Sequence, residues 1–381
     1  MSKARDLASF LGNNTNLDEV NDAYDAGTLS ALSNRNLIIN GAMRVSQRGT
    51  SFVQFNPGTD ALYCLDRFKM QANVPSIAYA VQQATDAPSG TDLVNSFKIT
   101  IAIAASSFPD TADRYFRVRH SIEAQDIQHF INKACILSFW VKSSITGQFD
   151  VTVFAADTAD GSNYYVAPYT INTANTWEKK EISFTGPATI NNDTGVGLDI
   201  QFQIARAGTD YATSSTEVWG SEKLSSTGST SAVATTTNAT WQVTGVQLEA
   251  GSVATPFEHR TFGDELIKCQ RYYQVLANVQ SDAVGVSAKW SSGNNFVFVD
   301  LPTEMREQPT LDTNLSTVTA AIRLSSSGNG VTGNNLTLDG DSSPRRLRLN
   351  TTIDDSNIPV GAAGWIRIND SSIYVNLSAE L

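Results

Sequence analysis

Apolar and polar residues alternate along several stretches of this chain, and this period of two residues constrains the fold more than any other feature. The alternation covers residues 97–103, 149–153 and 198–204, where Phe, Ile, Val or Leu occupies every second position. A half-buried antiparallel strand has this pattern because successive side chains point to opposite faces of the sheet. Roughly eight or more short strands over about 220 residues predict an all-β fold with a central jelly-roll β-sandwich.

Composition narrows the class of protein further. The 381 residues carry a net charge of −11, and 17% are charged whereas 41% are hydrophobic. This apolar share argues against intrinsic disorder, and the acidic excess argues against a nucleic-acid partner. No apolar run reaches the roughly 18 residues of a transmembrane helix, and the first residues, MSKARDLASFLG, lack the apolar core of a signal peptide. We therefore expect a soluble chain, made in a cytoplasm, with no membrane insertion.

The changes in pattern predict four segments. These are an N-terminal arm over 1–35, the jelly-roll sandwich over 36–262, a connector helix over 263–276 and a smaller all-β domain over 277–381. The connector is predicted to be helical because Leu266, Cys269, Tyr273 and Leu276 recur at intervals of three or four residues. Two acidic residues at its start suit the N-terminal end of a helix.

The N-terminal arm contains two short amphipathic patterns and too little apolar surface to fold alone. We consider two alternatives for it: a frayed terminus, or a docking segment that becomes helical against a partner. The residues that would dock are Leu7, Phe10, Leu11, Leu17, Val20 and Tyr24.

Two further regions carry specific expectations. Residues 209–240 are rich in Ser and Thr and are predicted to form a long surface loop, in which Trp219 either packs back onto the sandwich or offers a ligand platform. In the last segment, Val284, Val286, Ala288 and Trp290 alternate with other residues, which predicts a half-buried strand. Residues 296–301 are almost all apolar, which predicts a strand buried on both faces.

The search for catalytic or metal-binding motifs finds little. The three histidines and three cysteines have no zinc-ligand spacing, so we assign no metal-binding residues, and we expect no cofactor. A structural calcium site at acidic turn residues is the less favoured alternative; they are Asp157, Asp160, Asp193 and Asp199. The glycine-rich string at 328–333 precedes a strand-like segment and is predicted to be a hairpin turn rather than a dinucleotide site. No pair of acidic residues stands out as a catalytic pair, so we expect no enzyme.

Two stretches at either end of the predicted sandwich carry a family resemblance. The first reads NRNLIINGAMRVSQRGT over 34–50, followed by YCLDRF over 63–68. The second reads WQVTGVQLEAG over 241–251 and continues to CQRYY over 269–273. They resemble the opening and the closing segments of bacteriophage tail fibre proteins, the receptor-binding proteins of marine podovirus-like phages. Between them, LSFWVK over 137–142 resembles a jelly-roll strand of the carbohydrate-binding-module type.

The resemblance implies a homotrimeric virion component on the phage tail. The N-terminal arm would dock to tail adaptor or nozzle proteins. The C-terminal domain would be the distal tip, binding a bacterial surface glycan or an outer-membrane component without catalysis. Alternatives are a structural tail adaptor or neck fibre that contacts only virion partners, and a polysaccharide depolymerase tailspike. Aromatic side chains can stack on sugar rings and guanidinium groups can bind acidic groups, so the candidate ligand-binding residues are Trp219, Trp290, Trp365, Tyr374, Arg345 and Arg346.

Overall fold

The computed structural model describes residues 34–55, 62–106, 114–158, 163–207, 213, 215–220, 226–227, 232–280, 282–291, 294–314, 322–326, 329–333, 335–352, 359–368 and 372–381. Strands dominate these residues, and the predicted all-β class is confirmed. The six candidate docking residues of the N-terminal arm lie outside the described residues.

The first thirteen strands and one 3-10 helix (Ala124–Phe130) lie between residues 51 and 250. The strands are β1 (Ser51–Phe55), β2 (Leu62–Tyr63), β3 (Phe68–Ala72), β4 (Ala78–Ala84), β5 (Ser96–Ile103), β6 (Arg114–Glu123), β7 (Ala134–Ser143), β8 (Gly147–Ala155), β9 (Asn163–Ile171), β10 (Glu178–Thr185), β11 (Val196–Ala207), β12 (Trp219–Gly220) and β13 (Thr240–Ala250).

These strands form two antiparallel sheets that share one core. The orders are β1-β4-β5-β13-β7-β10 and β12-β9-β8-β11-β6-β3-β2, so the chain crosses repeatedly between the sheets, as in a jelly roll. Aromatic contacts join the two sheets across the core: the rings of Phe139 on β7 and Phe202 on β11 meet edge to face, with their centres 5.0 Å apart. Phe97, Ile99 and Ile101 are fully buried, as their alternation predicts.

The two stretches that carry the family resemblance lie against each other. The Leu37 amide donates to the Leu248 carbonyl (3.0 Å), and the Asn36 side chain donates to the Val246 carbonyl (3.1 Å). Asn40 and Gly41 form a turn in which Asn40 has a φ of 62°, and a side chain at Gly41 would collide with the main chain of Val246. Both motifs therefore have a structural role: the first lies along the part of β13 that extends beyond its pairing with β5.

The connector differs from the predicted helix over 263–276. The helix α1 spans Phe262–Gln270, begins at the capping residue Thr261, and is followed by the strand β14 (Tyr273–Ala277). The helical spacing of Tyr273 and Leu276 was misleading because residues 273–277 pair with a strand from the end of the chain. Tertiary pairing here overrides the local periodicity.

The remaining strands form two sheets around a second core. They are β15 (Ala283–Ser291), β16 (Asn294–Asp300), β17 (Thr310–Thr313), β18 (Ile322–Ser326), β19 (Asn329–Gly333), β20 (Thr337–Leu338), β21 (Arg346–Thr351), β22 (Ala363–Ile368) and β23 (Val375–Ser378). The small sheet has the order β14-β23-β17, and the large one has the order β19-β18-β22-β15-β16-β21-β20. The string at 328–333 was predicted to be a hairpin turn. Its residues Asn329–Gly333 instead form β19, which pairs with β18 as the second strand of a hairpin.

Two expectations for the large sheet are wrong in detail. Residues 296–301 are not buried on both faces, because Val297 is fully buried whereas Phe298 is 53% exposed. In β15 a register shift between Ala283 and Gly285 reverses the alternation. Val284 therefore lies in the core, while Val286 and Trp290 face outward. A single extra residue in a strand moves every following side chain to the other face.

Candidate functional site

The outward-facing side of the large C-terminal sheet carries an unusual row of apolar side chains. Register places Trp365 of β22 opposite Val286 of β15, and Val286 opposite Phe298 of β16. Neighbouring strands lie about 4.8 Å apart, so the row extends over roughly 10 Å. Trp290 joins it through its ring contact with Phe296, at 6.0 Å between centroids. We call this surface the outer aromatic face; its members are Val286, Trp290, Phe296, Phe298 and Trp365.

Exposure separates these side chains from the other tryptophans. Trp290 is 71% exposed and Trp365 is 56% exposed. Among the remaining four, Trp241 is fully buried and Trp140, Trp177 and Trp219 are half-buried. The two most exposed tryptophans, 75 positions apart in the sequence, thus share one face of one sheet. A contiguous exposed apolar surface is typical of a binding site.

Guanidinium groups border this face along β21. Arg348 lies opposite Phe298, and its guanidinium carbon sits 4.7 Å from the centre of the Phe296 ring. It is held by ion pairs with Asp339 and Asp341. The predicted residue Arg346 is at the same edge and pairs with Asp300 at 2.9 Å, while Arg345 is exposed just before the strand. The face therefore combines flat apolar rings with guanidinium hydrogen-bond donors along one side.

The structure places the other two predicted aromatics elsewhere. The Trp219 indole packs on Tyr165 and Phe184 at the rim of the sandwich, and its Nε1 donates to the Thr185 carbonyl (2.7 Å). Tyr374 precedes β23 and lies between the two cores. Neither side chain belongs to the outer aromatic face.

A polar network on the seven-stranded sheet of the sandwich is a feature that sequence reasoning missed. The guanidinium of Arg117 donates to the side chains of Gln71 and Gln201, and that of Arg119 donates to Asp199 (2.6 Å). The signal that could have revealed it is the alternation of polar residues in β6 and β11. Arg117 and Arg119 are two positions apart in β6, and Asp199 and Gln201 are two positions apart in β11, so all four side chains lie on one face of the sheet.

Burial perturbs the charged members of this network. The pKa of Arg117 falls to about 10, through burial first and the neighbouring Arg119 second. Burial alone would raise the pKa of Asp199, but Arg119 and Lys69 hold it below its usual value. Since the guanidinium groups already have side-chain acceptors, we assign the network to bracing the sheet.

Three other features bear on what kind of site the described residues can form. The described part of the chain contains no helix whose length and hydropathy would let it span a bilayer. Nor do the described residues include a group of three or more His, Cys, Asp or Glu able to hold a metal ion. Burial raises the pKa of all three cysteine thiols, which disfavours the reactive thiolate.

Comparison with known proteins finds similarity to solved structures only. No family model and no curated protein matches the chain. A similar structure is the enzymatically active domain of tailspike protein 4 from Bacteriophage CBA120, with 12% identity and a TM-score of 0.32. That match covers 57% of this chain but only 21% of the tailspike chain.

Isolated sugar-binding domains are matched over nearly their whole length. The family 11 carbohydrate-binding module from Clostridium thermocellum has 11% identity and a TM-score of 0.28, covering 54% of this chain and 98% of the module. A putative sugar-binding protein from Bacteroides thetaiotaomicron has 12% identity and a TM-score of 0.29, covering 56% and 99%.

Proposed function

We propose that this protein is a receptor-binding component of a phage tail fibre that attaches to a host surface glycan through the outer aromatic face, without catalysis. The observation that carries the proposal is the convergence of Trp290 and Trp365 on one solvent-facing sheet surface. Both residues are candidate sugar-stacking groups by their type, and their shared location comes from strand pairing alone.

The chemistry of the face suits a saccharide. Pyranose rings have an apolar side that can lie flat on an aromatic ring, and hydroxyl groups around the rim that need hydrogen-bond partners. Phe298 and Trp365 offer the flat surfaces, and Arg346 and Arg348 offer donors beside them. The ion pair of Arg346 is solvent-exposed and worth little by itself, so the guanidinium can exchange partners at small cost.

The place on a phage tail rests on the resemblance of residues 34–68 and 241–273 to tail fibre proteins. Those residues lie in the sandwich and the connector, apart from the outer aromatic face. In this arrangement the sandwich is the body and the C-terminal sheet is the binding end.

Self-association into a homotrimer is part of the proposal. Three copies would multiply a weak contact through effective concentration. Light scattering of the purified full chain is expected to give a trimer mass. A monomer at micromolar concentration would contradict this part of the proposal while leaving the binding face untouched.

Binding is tested on an array of bacterial surface polysaccharides with the full chain and a Trp290→Ala/Trp365→Ala double variant. We expect at least one polysaccharide to bind and the double variant to bind about tenfold or more weakly, since buried aromatic anchors carry most of the free energy of binding. The control is Phe262→Ala, which removes a 48% exposed aromatic ring on α1 and should leave binding unchanged.

Three results would overturn the proposal in different ways. Equal binding by the double variant would remove the outer aromatic face from recognition. Binding to isolated phage tails but to no polysaccharide would favour the structural adaptor. Release of reducing ends from a bound polysaccharide would favour the depolymerase.

A further inference from the structure

A cavity of about 530 Å³ lies where the sandwich meets the C-terminal strands. One wall comes from the sandwich and includes Arg48, Phe52 and Tyr63, and the floor is the small sheet of β14, β23 and β17. Its size falls within the range of small-molecule sites. We call it the junction cavity.

Strand register sets the floor of the junction cavity. Asn376 on β23 lies between Val275 on β14 and Asp312 on β17, and all three side chains line the cavity. Tyr273 and Tyr374 add two phenol rings, and the Tyr273 hydroxyl donates to Asp312 at 3.2 Å. The cavity is thus lined by aromatic rings together with amide, carboxylate and guanidinium groups.

Two polar atoms of the lining lack a partner. Within the described residues, Asn376 Oδ1 and Arg48 Nη1 are both buried and have no hydrogen-bond partner. Asn376 is only 7% exposed. A buried polar atom without a partner costs about 1–3 kcal/mol of folding free energy, so such atoms call for a specific explanation. Because Asn376 and Arg48 both line the cavity, small movements of their side chains towards a hydroxyl-bearing ligand would give this acceptor and this donor a partner.

Arg48 is held by neighbouring side chains, and the charges of the lining are balanced. Arg48 is bound to Glu380 (3.1 Å), and its guanidinium carbon lies 3.5 Å from the centre of the Tyr273 ring. Burial raises the pKa of Tyr63 and of Tyr273, so both phenols remain neutral and keep their protons. The lining thus carries one cation and one carboxylate, Arg48 and Asp312, which favours an uncharged ligand over an anion.

We propose that the junction cavity binds one neutral sugar unit. Asn376 Oδ1 accepts a hydrogen bond from one hydroxyl group of the sugar, and Arg48 Nη1 donates a hydrogen bond to another. Phe52 and Tyr374 pack against the sugar ring. This site is separate from the outer aromatic face, and it does not depend on the function proposed for that face. It takes a single ring into a cavity, whereas the outer aromatic face presents a flat surface to an extended chain.

The probes are D-glucose, D-galactose and D-mannose, with D-glucuronate as a charged comparison, measured by saturation-transfer NMR on the full chain. We expect saturation transfer to at least one neutral sugar and weaker transfer to D-glucuronate. Asn376→Leu removes the unpartnered acceptor at nearly constant volume. It should lower the affinity at least tenfold while the melting temperature stays the same or rises.

Tyr374→Ala is the second variant, because Tyr374 lies at the 36% exposed rim and its loss leaves the strand pairing intact. It should also weaken binding. The Trp290→Ala/Trp365→Ala variant should bind the sugar as the wild type does.

The outcomes separate this proposal from the previous one. No saturation transfer with any neutral sugar, undiminished binding by both junction variants, or a preference for D-glucuronate would each overturn the junction site. Loss of the sugar signal in the tryptophan variant, with retention in Asn376→Leu, would move recognition to the outer aromatic face. If the protein bound no polysaccharide on the array but still gave saturation transfer to a neutral sugar, the function proposed for the outer aromatic face would fail and the junction site would be supported.

Discussion

At the residue scale, His120 shows how the fold decides the chemistry of a side chain. Its ring is 1% exposed, lies 4.9 Å from the Phe68 ring and places Nε2 3.0 Å from the Ile39 carbonyl. Burial first, and the nearby Arg67 second, lower its pKa to about 3. The sequence showed only that His120 is not part of a zinc motif; it held no sign of this burial, because the covering residues are distant in the chain.

This lowered pKa predicts a loss of stability in acid. Above pH 6.5 His120 is neutral in both the folded and the unfolded chain, so it contributes no difference. As pH falls from 6.5 towards 3, His120 becomes protonated in the unfolded chain but stays neutral in the folded chain. This difference lowers the free energy of unfolding by about 2 kcal/mol at pH 5. Urea denaturation at pH 7 and pH 5 measures this loss. In His120→Gln the loss between the two pH values should shrink by about that amount; an identical loss in the variant would contradict the assignment.

At the element scale, the alternation predicted most strands but not the side that each one exposes. The pattern at 97–101 was sufficient because those residues pair without a register shift with Tyr79–Gln83 of the neighbouring strand. It failed at Ile103, which is 50% exposed and lies beyond the register shift between Ala78 and Tyr79. The pattern at 284–290 was misleading because the shift at Gly285 reverses the faces. For the same reason the sequence could predict which residue types bind a sugar, but not which of them lie together on the outer aromatic face. Phe298 was expected in the core, and only the pairing of β15 with both β16 and β22 shows it on the same face as Trp365, with Val286 between them.

A glycine substitution tests the contact between the two motif segments. At Gly41 a Cβ would lie 2.1 Å from the Val246 carbonyl oxygen, so Gly41→Ala must push the turn away from β13. We expect a loss of about 1–3 kcal/mol in the free energy of unfolding. Gly263→Ala on α1 is the matched control: its Cβ would meet nothing within 4 Å, and a helical alanine should leave stability unchanged or raise it by up to about 1 kcal/mol. Denaturant titration of both variants measures the difference, and equal stabilities would refute the close approach.

At the scale of the whole molecule, a few long-range contacts join the two cores. Arg67 is fully enclosed in the sandwich and pairs with Glu380, while its guanidinium carbon lies 3.4 Å from the centre of the Tyr272 ring. Arg306 reaches from the C-terminal part to the Thr194 carbonyl (3.0 Å). These partners are more than 100 positions apart in the sequence, so no local pattern could have predicted them.

Glu380→Ala should therefore destabilise the protein strongly. Removing one partner leaves the buried Arg67 charge uncompensated, which costs about 3–5 kcal/mol. Glu307→Ala removes an exposed carboxylate from Arg306 and should cost less than about 1 kcal/mol. Thermal unfolding compares the two variants. Similar melting temperatures would show that the Arg67–Glu380 pair does not hold the cores together.

The central claim is that glycan binding occurs on the outer aromatic face, and 19F NMR of the 5-fluorotryptophan-labelled chain tests it most directly. The chain has six tryptophans, so six resonances can be assigned by single Trp→Phe substitutions. Adding a polysaccharide that the wild type binds should shift or broaden the resonances of Trp290 and Trp365 and leave that of the buried Trp241 unchanged. A response confined to Trp219, or none at Trp290 and Trp365 at saturating polysaccharide, would contradict the claim.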